Sequence, residues 1–165
     1  MHIAPLRARD RLRIAELLRH DHGYAVRVNG VPSDESDVDD LLTSRPAGTS
    51  PDQLHSFGLW LDEASLAALA VVMVDWPQAG QNWVGLLQAD SRHSGQGHGR
   101  RLHDELLRRL PSACWRLAVV DSNAEAISFW ERLGYRLTEE RKPWTSPAGE
   151  QRTALIMELS IPQTD

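Results

Sequence analysis

Three glycines at alternate positions, within Ser94-Gly95-Gln96-Gly97-His98-Gly99-Arg100-Arg101, are the residues of this chain whose type and spacing point most directly to chemistry. Without side chains, such a turn lets the backbone approach a ligand and aim several N–H groups at one point. The residues after it form an amphipathic helix, with Leu102, Leu106, Leu107 and Leu110 on one side. Arg100, Arg101, His103, Asp104, Glu105, Arg108 and Arg109 occupy the other positions, and Pro111 stops the helix. A glycine turn at the positive end of a helix dipole binds anions, phosphate above all. A connecting surface loop is the plain alternative. A dinucleotide turn of the G-x-G-x-x-G kind would need a third glycine at position 100 or 102, where the chain has Arg100 and Leu102, although Asp121 stands near the place of a ribose-binding acid.

The elements that position this turn can be read on either side of it. Trp83-Val84-Gly85-Leu86-Leu87 reads as a strand buried on both faces, leading into the turn. Residues 1–9 suit a short first strand and Asp10 to Leu18 an amphipathic helix ended by His20 to Gly23. Residues 24–51 are polar. Within them Ser33 can cap a helix with Val38, Leu41 and Leu42 inside, and its acidic run Asp34 to Asp40 is either a solvated face or a wall for a cationic substrate. Phe57–Leu61 and Leu66–Val74 read as strands joined by the turn 62–65, and with the Trp83 strand they form an antiparallel meander. After the glycine helix come a buried strand, Trp115–Val120, and a helix from Asn123 to Leu133 with Ala126, Ile127, Trp130 and Leu133 on one face. Gly134 ends that helix, and strands Tyr135–Leu137 and Thr153–Leu159 follow, with a turn around Pro147-Ala148-Gly149 between them.

The 165 residues suit one domain, 1–165, with a single sizeable core. A net charge of −5 gives no general attraction to nucleic acid or an anionic membrane. The single cysteine, Cys114, allows no internal disulfide and fits a reducing compartment. With no signal or membrane-spanning run, a soluble cytoplasmic protein is expected. The seven histidines have no metal-ligand spacing, and no metal is expected. Trp76 and Trp144 lie in turn-like contexts and could line a pocket or the face of a homodimer.

Two cassettes stand in tandem: strand, glycine turn, helix; then strand, Asn123, helix, Gly134, strand. In this order they resemble the GNAT superfamily of acetyl-CoA-dependent acyltransferases. Ser94-Gly95-Gln96-Gly97-His98-Gly99 resembles its (Arg or Gln)-x-x-Gly-x-(Gly or Ala) motif, and Asn123, Ala126, Phe129, Gly134 and Tyr135 resemble its Asn-x-x-Ala-x-x-Phe-Tyr-x-x-x-Gly-Phe pattern. The resemblance implies an α/β fold with a mixed, mostly antiparallel sheet flanked by helices. It also implies acetyl transfer from acetyl-CoA, as co-substrate, to a primary amine of a small molecule or peptide, by direct attack.

Carried onto this sequence, the resemblance puts the pyrophosphate on the main chain of Gly95, Gln96, Gly97, His98, Gly99 and Arg100, next to Ser94. The pantetheine would lie along the backbone of Leu87 and Ala89, with Asn123 hydrogen-bonded to it where two parallel strands part, and Trp130 packed on its acyl end. Asn123 is equally suited to capping its helix. Three departures stand out. Ser94 replaces a long side chain that supports the loop, a loss for which Arg92 or Arg100 could compensate. Trp130 replaces a tyrosine that protonates the leaving thiolate, and an indole N–H is no practical acid. Ala118 stands where some members carry a glutamate base, with Asp121 the nearest carboxylate, so no catalytic residue is identified. These departures motivate the alternative of a non-catalytic acyl-CoA-binding or regulatory domain.

Overall fold

Nearly every side chain of the strand Leu66–Met73 is buried, so both faces of the sheet around it must be covered. In the computed structural model, which describes residues 1–162, helices are supplied to each face. The order is β1 (His2–Pro5), α1 (Arg11–Arg19), α2 (Tyr24–Asn29), α3 (Glu35–Thr43), β2 (Leu54–Trp60), β3 (Leu66–Met73), β4 (Gln81–Ala89), α4 (His98–Arg109), β5 (Cys114–Val120), α5 (Ala124–Arg132), β6 (Arg136–Thr145) and β7 (Gln151–Ser160). The strands form one seven-stranded sheet in the order β1-β2-β3-β4-β5-β7-β6. All neighbours are antiparallel except β4 and β5, so the mixed, mostly antiparallel α/β sheet expected from the sequence is present.

Strand periodicity assigns the helices to their faces. Leu69 of β3 packs with Ile14, Leu17 and Leu18 of α1 and Val38 and Leu41 of α3. Ala68, Ala70 and Val72 face the other way, onto Leu102 and Leu106 of α4. Trp115 and Leu117 of β5, Trp130 of α5, Tyr135 and Met157 of β7 continue that second core. No helix among the described residues is long and apolar enough to cross a membrane.

Several details differ from the sequence reading. The polar segment after Gly23 contains a short helix, α2, bracketed by Gly23 and Gly30, both at positive φ. Asp34, not Ser33, caps α3: it accepts from the Ser36 N–H at 2.7 Å, while Asp37 accepts from the Asp34 N–H at 2.7 Å. Strands β6 and β7 run longer than the apolar segments Tyr135–Leu137 and Thr153–Leu159, because backbone pairing continues through the polar hairpin to Thr145 and Gln151. Trp83–Leu87 is not buried on both faces throughout: Val84 is buried, but Gly85 is exposed and Leu86 and Leu87 are half-buried. The reason is that β5 stops covering β4 there, as described below.

His103 is also corrected. The helical pattern places it among the polar positions, yet it is 1% exposed, with its ring edge-on to Trp115, Trp130 and Tyr135. Its Nε2 lies 3.1 Å from the Tyr135 hydroxyl. Burial lowers its pKa from the ordinary imidazole value, more than Asp104, 3.6 Å away, raises it. The unfolded chain therefore takes up a proton at higher pH than the folded one, and His103's contribution to stability is complete above about pH 6.5 and lost as pH falls toward the folded value. Denaturant midpoints compared at pH 7.5 and 5.5 should fall more steeply for the parent than for His103→Leu; equal slopes would contradict a neutral buried imidazole.

Candidate functional site

Two neighbouring parallel strands that stop pairing leave a gap in the middle of a sheet, and this occurs between β4 and β5. Their register runs from Gln81↔Cys114 to Val84↔Leu117 and ends there, although β4 continues to Ala89 and β5 to Val120. The divergence begins at Gly85. On the other side of β4, Val72 pairs with Val84 and Val71 with Leu86, so Gly85 is an extra residue, a β-bulge that bends the strand.

The bulge also determines where the free backbone groups of β4 point. The Asp90 N–H bonds to the Ala67 carbonyl at 2.9 Å, in line with the register Ala68↔Ala89 and Leu69↔Gln88. Alternation in an antiparallel ladder then makes 67/90, 69/88 and 71/86 the pairs that exchange hydrogen bonds. Leu87 and Ala89, between them, turn their N–H and C=O groups away from β3, toward the gap. This is the edge a chain-like ligand carrying amides could join as an added strand.

The gap opens into a cleft of about 270 Å³. One wall is α5, through Asn123, Ala126 and Trp130; the opposite wall is α2, through Tyr24, Val28 and Asn29, with Trp144 of β6 beside it. Of the residues singled out from the sequence, Leu87, Asn123 and Trp130 meet in this cleft. Asn123 is the N-cap of α5: its Oδ1 accepts from the Ala126 N–H at 3.2 Å, which leaves its amide NH₂ for a ligand. Trp130 belongs both to the cleft and to the aromatic cluster of Phe129, His103 and Tyr135.

Beyond Ala89 the chain makes a single 3-10 turn, Ser91–His93, and enters the glycine turn. Gly95 and Gly97 have φ of 76° and 75°, and a Cβ at either would meet no atom within 4 Å, so the space above this backbone is open. Gly97 is the N-cap of α4 and makes no side-chain cap, and the first helical bond is Arg101 N–H to Gly97 O. The N–H groups of His98, Gly99 and Arg100 therefore have no intrahelical acceptor. Gly99 differs from the other two glycines: it has no positive φ, and a Cβ there would lie in ordinary contact with the Phe129 ring, 3.5 Å away. His98 is buried, so only its backbone is available to a ligand, and Gln96 lies 3.3 Å from the His98 ring.

The charges nearby have specific assignments. Arg92 donates to the buried Asp90 at 2.6 Å and to Glu16 at 2.9 Å, so it does not replace the missing long side chain at 94; its guanidinium holds the Asp90 carboxyl below its usual pKa even though burial alone would raise it. Arg100 is exposed beside Asp104 at 3.8 Å and remains available. Ala118 lines the cleft, whereas Asp121, exposed at the end of β5, does not. The acidic stretch Asp34–Asp40, read as a solvated face or a substrate wall, is not part of the cleft: α3 packs Val38 and Leu41 against α1, and Asp39 pairs with Arg11. Trp76 packs edge-on to Trp83 at 5.3 Å, outside the cleft that Trp144 lines.

Two functional features escaped the sequence reading. The Gly85 bulge had a signal, a glycine inside an apolar strand run. Tyr24 had a weak one, since it stands four residues before Val28, but α2 is short and lies in an otherwise polar segment; among the described cleft-lining residues Tyr24 is the only ionisable side chain. Burial, and secondarily Asp21, raises its pKa, so the phenol stays protonated at neutral pH.

Comparison with known proteins agrees with this geometry. A family model described as the acetyltransferase (GNAT) family matches residues 13–135. A search of curated protein sequences gave no match. Among solved structures, the ribosomal-protein-S18-alanine N-acetyltransferase of Escherichia coli superposes with a TM-score of 0.71 at 21% identity, over 99% of this chain and 96% of that one. An acetyltransferase from Thermus thermophilus gives 0.74 at 20% identity, over 96% of each. A ribosomal-protein-alanine N-acetyltransferase from Brucella melitensis gives 0.70 at 16%, over 98% and 100%.

The α2 wall is held in place by the β6–β7 turn. Ala148 donates its N–H to Asn29 O at 3.1 Å, and a Cβ on Gly30 would come within 2.4 Å of the Ala148 Cβ. Gly30 also has φ of 78°, a conformation that costs a residue with a side chain about 1–2 kcal/mol. Gly30→Ala should therefore push the turn away and speed hydrogen exchange at the Ala148 amide. Adding Ala148→Gly should relieve the collision and slow the exchange again; an unchanged amide in the single variant would show that the turn does not brace α2.

Proposed function

Because the chain belongs to the acetyltransferase (GNAT) family, we propose that it transfers an acetyl group from acetyl-CoA to a primary amine of a small molecule or peptide, with the β4–β5 gap as the place of reaction. The observation that carries this reading is the free edge of Leu87 and Ala89, which leads into open glycine positions at an uncapped helix start. The residues present fit the co-substrate. The β4 edge suits the amides of a pantetheine arm, and the N–H groups of His98, Gly99 and Arg100, with the Arg100 guanidinium, suit a pyrophosphate. When bound, acetyl-CoA supplies a thioester, whose acetyl carbon is attacked by the amine and whose sulfur leaves as a thiol.

What the chain itself contributes is mainly placement. The cleft walls exclude water from the reacting groups and hold them together, and a backbone N–H on the β4 edge polarises the acetyl carbonyl. Trp130 offers an apolar face and an indole N–H that carries no titrating proton near neutral pH. The acceptor enters along Tyr24, Val28, Asn29 and Trp144, a wall without carboxylates that suits an amine in its uncharged form.

The absence of a carboxylate or imidazole among the described residues of the lining also favours a second reading, a non-catalytic acyl-CoA-binding domain. Following free thiol released from acetyl-CoA separates the two: release that depends on an amine supports transfer, and tight binding without release supports the second reading.

If transfer occurs, no side chain of the lining takes the proton of an ammonium acceptor. kcat/KM should then rise tenfold per pH unit up to the acceptor's own pKa, and move with that pKa from one amine to another. A plateau at a pH common to all amines would reveal a protein base. Trp130→Phe should keep most of the turnover, whereas Trp130→Ala, which empties the aromatic cluster at a cost of about 3–5 kcal/mol in stability, should lower the Tm and also weaken acetyl-CoA binding. A Trp130→Phe variant that binds the co-substrate normally but has no turnover would assign the indole N–H a direct role.

A further inference from the structure

The glycine turn is held from outside by the loop between α1 and α2. The lower part of this attachment is extensive: Ser91 donates its N–H to His20 O at 2.8 Å, and Arg92 links the buried Asp90 to Glu16 of α1. Two residues further on, His22 Nε2 lies 2.7 Å from the Ser94 hydroxyl, across 72 residues of sequence. The direction of this bond follows from proton counting. Ser94 Oγ donates its one proton to the Ser91 carbonyl at 2.8 Å, so His22 must donate from Nε2 to Ser94 Oγ.

His22 is not there because the local backbone prefers it. Its φ is 56°, left-handed for a residue with a β-carbon, and its side chain is exposed, so burial does not explain the conformation. The surrounding contacts enforce it. Asp21 accepts the N–H groups of Gly23 and Ala25 at 2.7 and 2.8 Å, and the Arg27 guanidinium donates to the His22 carbonyl. The next helix, α2, begins at Tyr24 and forms the opposite wall of the cleft. One short segment thus touches the glycine turn at His22 and the cleft at Tyr24.

We propose that His22 is a positioning residue for the phosphate-binding turn: through its bond to Ser94 it holds the backbone before Gly95 and Gly97 in the ligand-accepting arrangement. The turn contains two glycines over open space, and apart from the local bond of Ser94 Oγ to the Ser91 carbonyl, His22 is the side chain that braces its first residue. The bond ties the turn to the loop that carries the α2 wall. This inference rests on the reading of the turn as the pyrophosphate site.

The test compares two ligands that differ in their phosphates. Calorimetry with CoA measures the full ligand, and turnover with S-acetylpantetheine, which has no phosphate, measures the cleft alone. Losing one hydrogen bond of this kind should raise the Kd for CoA by about tenfold in His22→Ala. The KM for S-acetylpantetheine should not change. Ser94→Ala, which also loses the bond to the Ser91 carbonyl, should weaken CoA at least as much as His22→Ala, the double variant should be no weaker than Ser94→Ala alone, and His22→Gln, whose amide can donate in the same place, should recover most of the affinity. An unchanged Kd in His22→Ala, an equal loss for both ligands, or additive losses in the double variant would overturn the proposal. If the parent itself does not bind CoA, the functional reading fails and this inference fails with it; a parent that binds CoA while His22→Ala is indifferent removes only the role of His22.

Discussion

The only parallel pairing in the sheet among the described residues, β4 on β5, lasts from Gln81↔Cys114 to Val84↔Leu117, and the rest of the candidate site depends on its ending there. A sheet that continued to pair would have no interior opening and no free backbone groups on its central strands. The Gly85 bulge bends β4 off β5 without breaking the ladder to β3, because only one residue is left out of register. The cost of the bulge is local, whereas β3 stays buried between α1 and α4. The same bend that exposes Leu87 and Ala89 carries the chain directly to the glycine turn.

The cleft is built from parts that are stabilised for other reasons. The Trp130 side chain is fixed by an aromatic cluster with His103, Phe129 and Tyr135 as well as lining the opening, and Asn123 is at once an N-cap and a cleft residue. On the opposite side, α2 is only six residues long and too short to be stable by its own hydrogen bonds. It is held at one end by Asp21 and at the other by the Asn29–Ala148 bond. A wall made in this way can differ in side chains while the β4 and α5 side keeps its geometry, and fold alone does not name an acceptor.

Much of this was legible from the residues. The glycine turn, the two strand–helix cassettes and the meander were readable because period-2 and period-3.6 patterns and glycine positions are local signals. What was not legible depends on contacts distant in sequence. His103 looked polar on its own helix, and only the meeting of β5, α5 and Tyr135 buries it. The acidic stretch Asp34–Asp40 read as either a solvated face or a substrate wall, and the choice is decided by where Val38 and Leu41 find their core. The same holds for Arg92, which pairs with Glu16 in a helix 76 residues away, and for Tyr24, which reaches the cleft through a six-residue helix whose few apolar residues, Ala25 and Val28 among them, stand in an otherwise polar stretch.

The central claim is that the parted β4 edge and the glycine turn form one continuous seat for a pantetheine arm and its pyrophosphate. A crystal structure of the protein with CoA tests this most directly. The account predicts pantetheine amides hydrogen-bonded to the backbone of Leu87 and Ala89, and phosphate oxygens on the N–H groups of the Gly95–Arg100 turn. CoA bound elsewhere with β4 and β5 still parted, or phosphates held by side chains far from that turn, would contradict it.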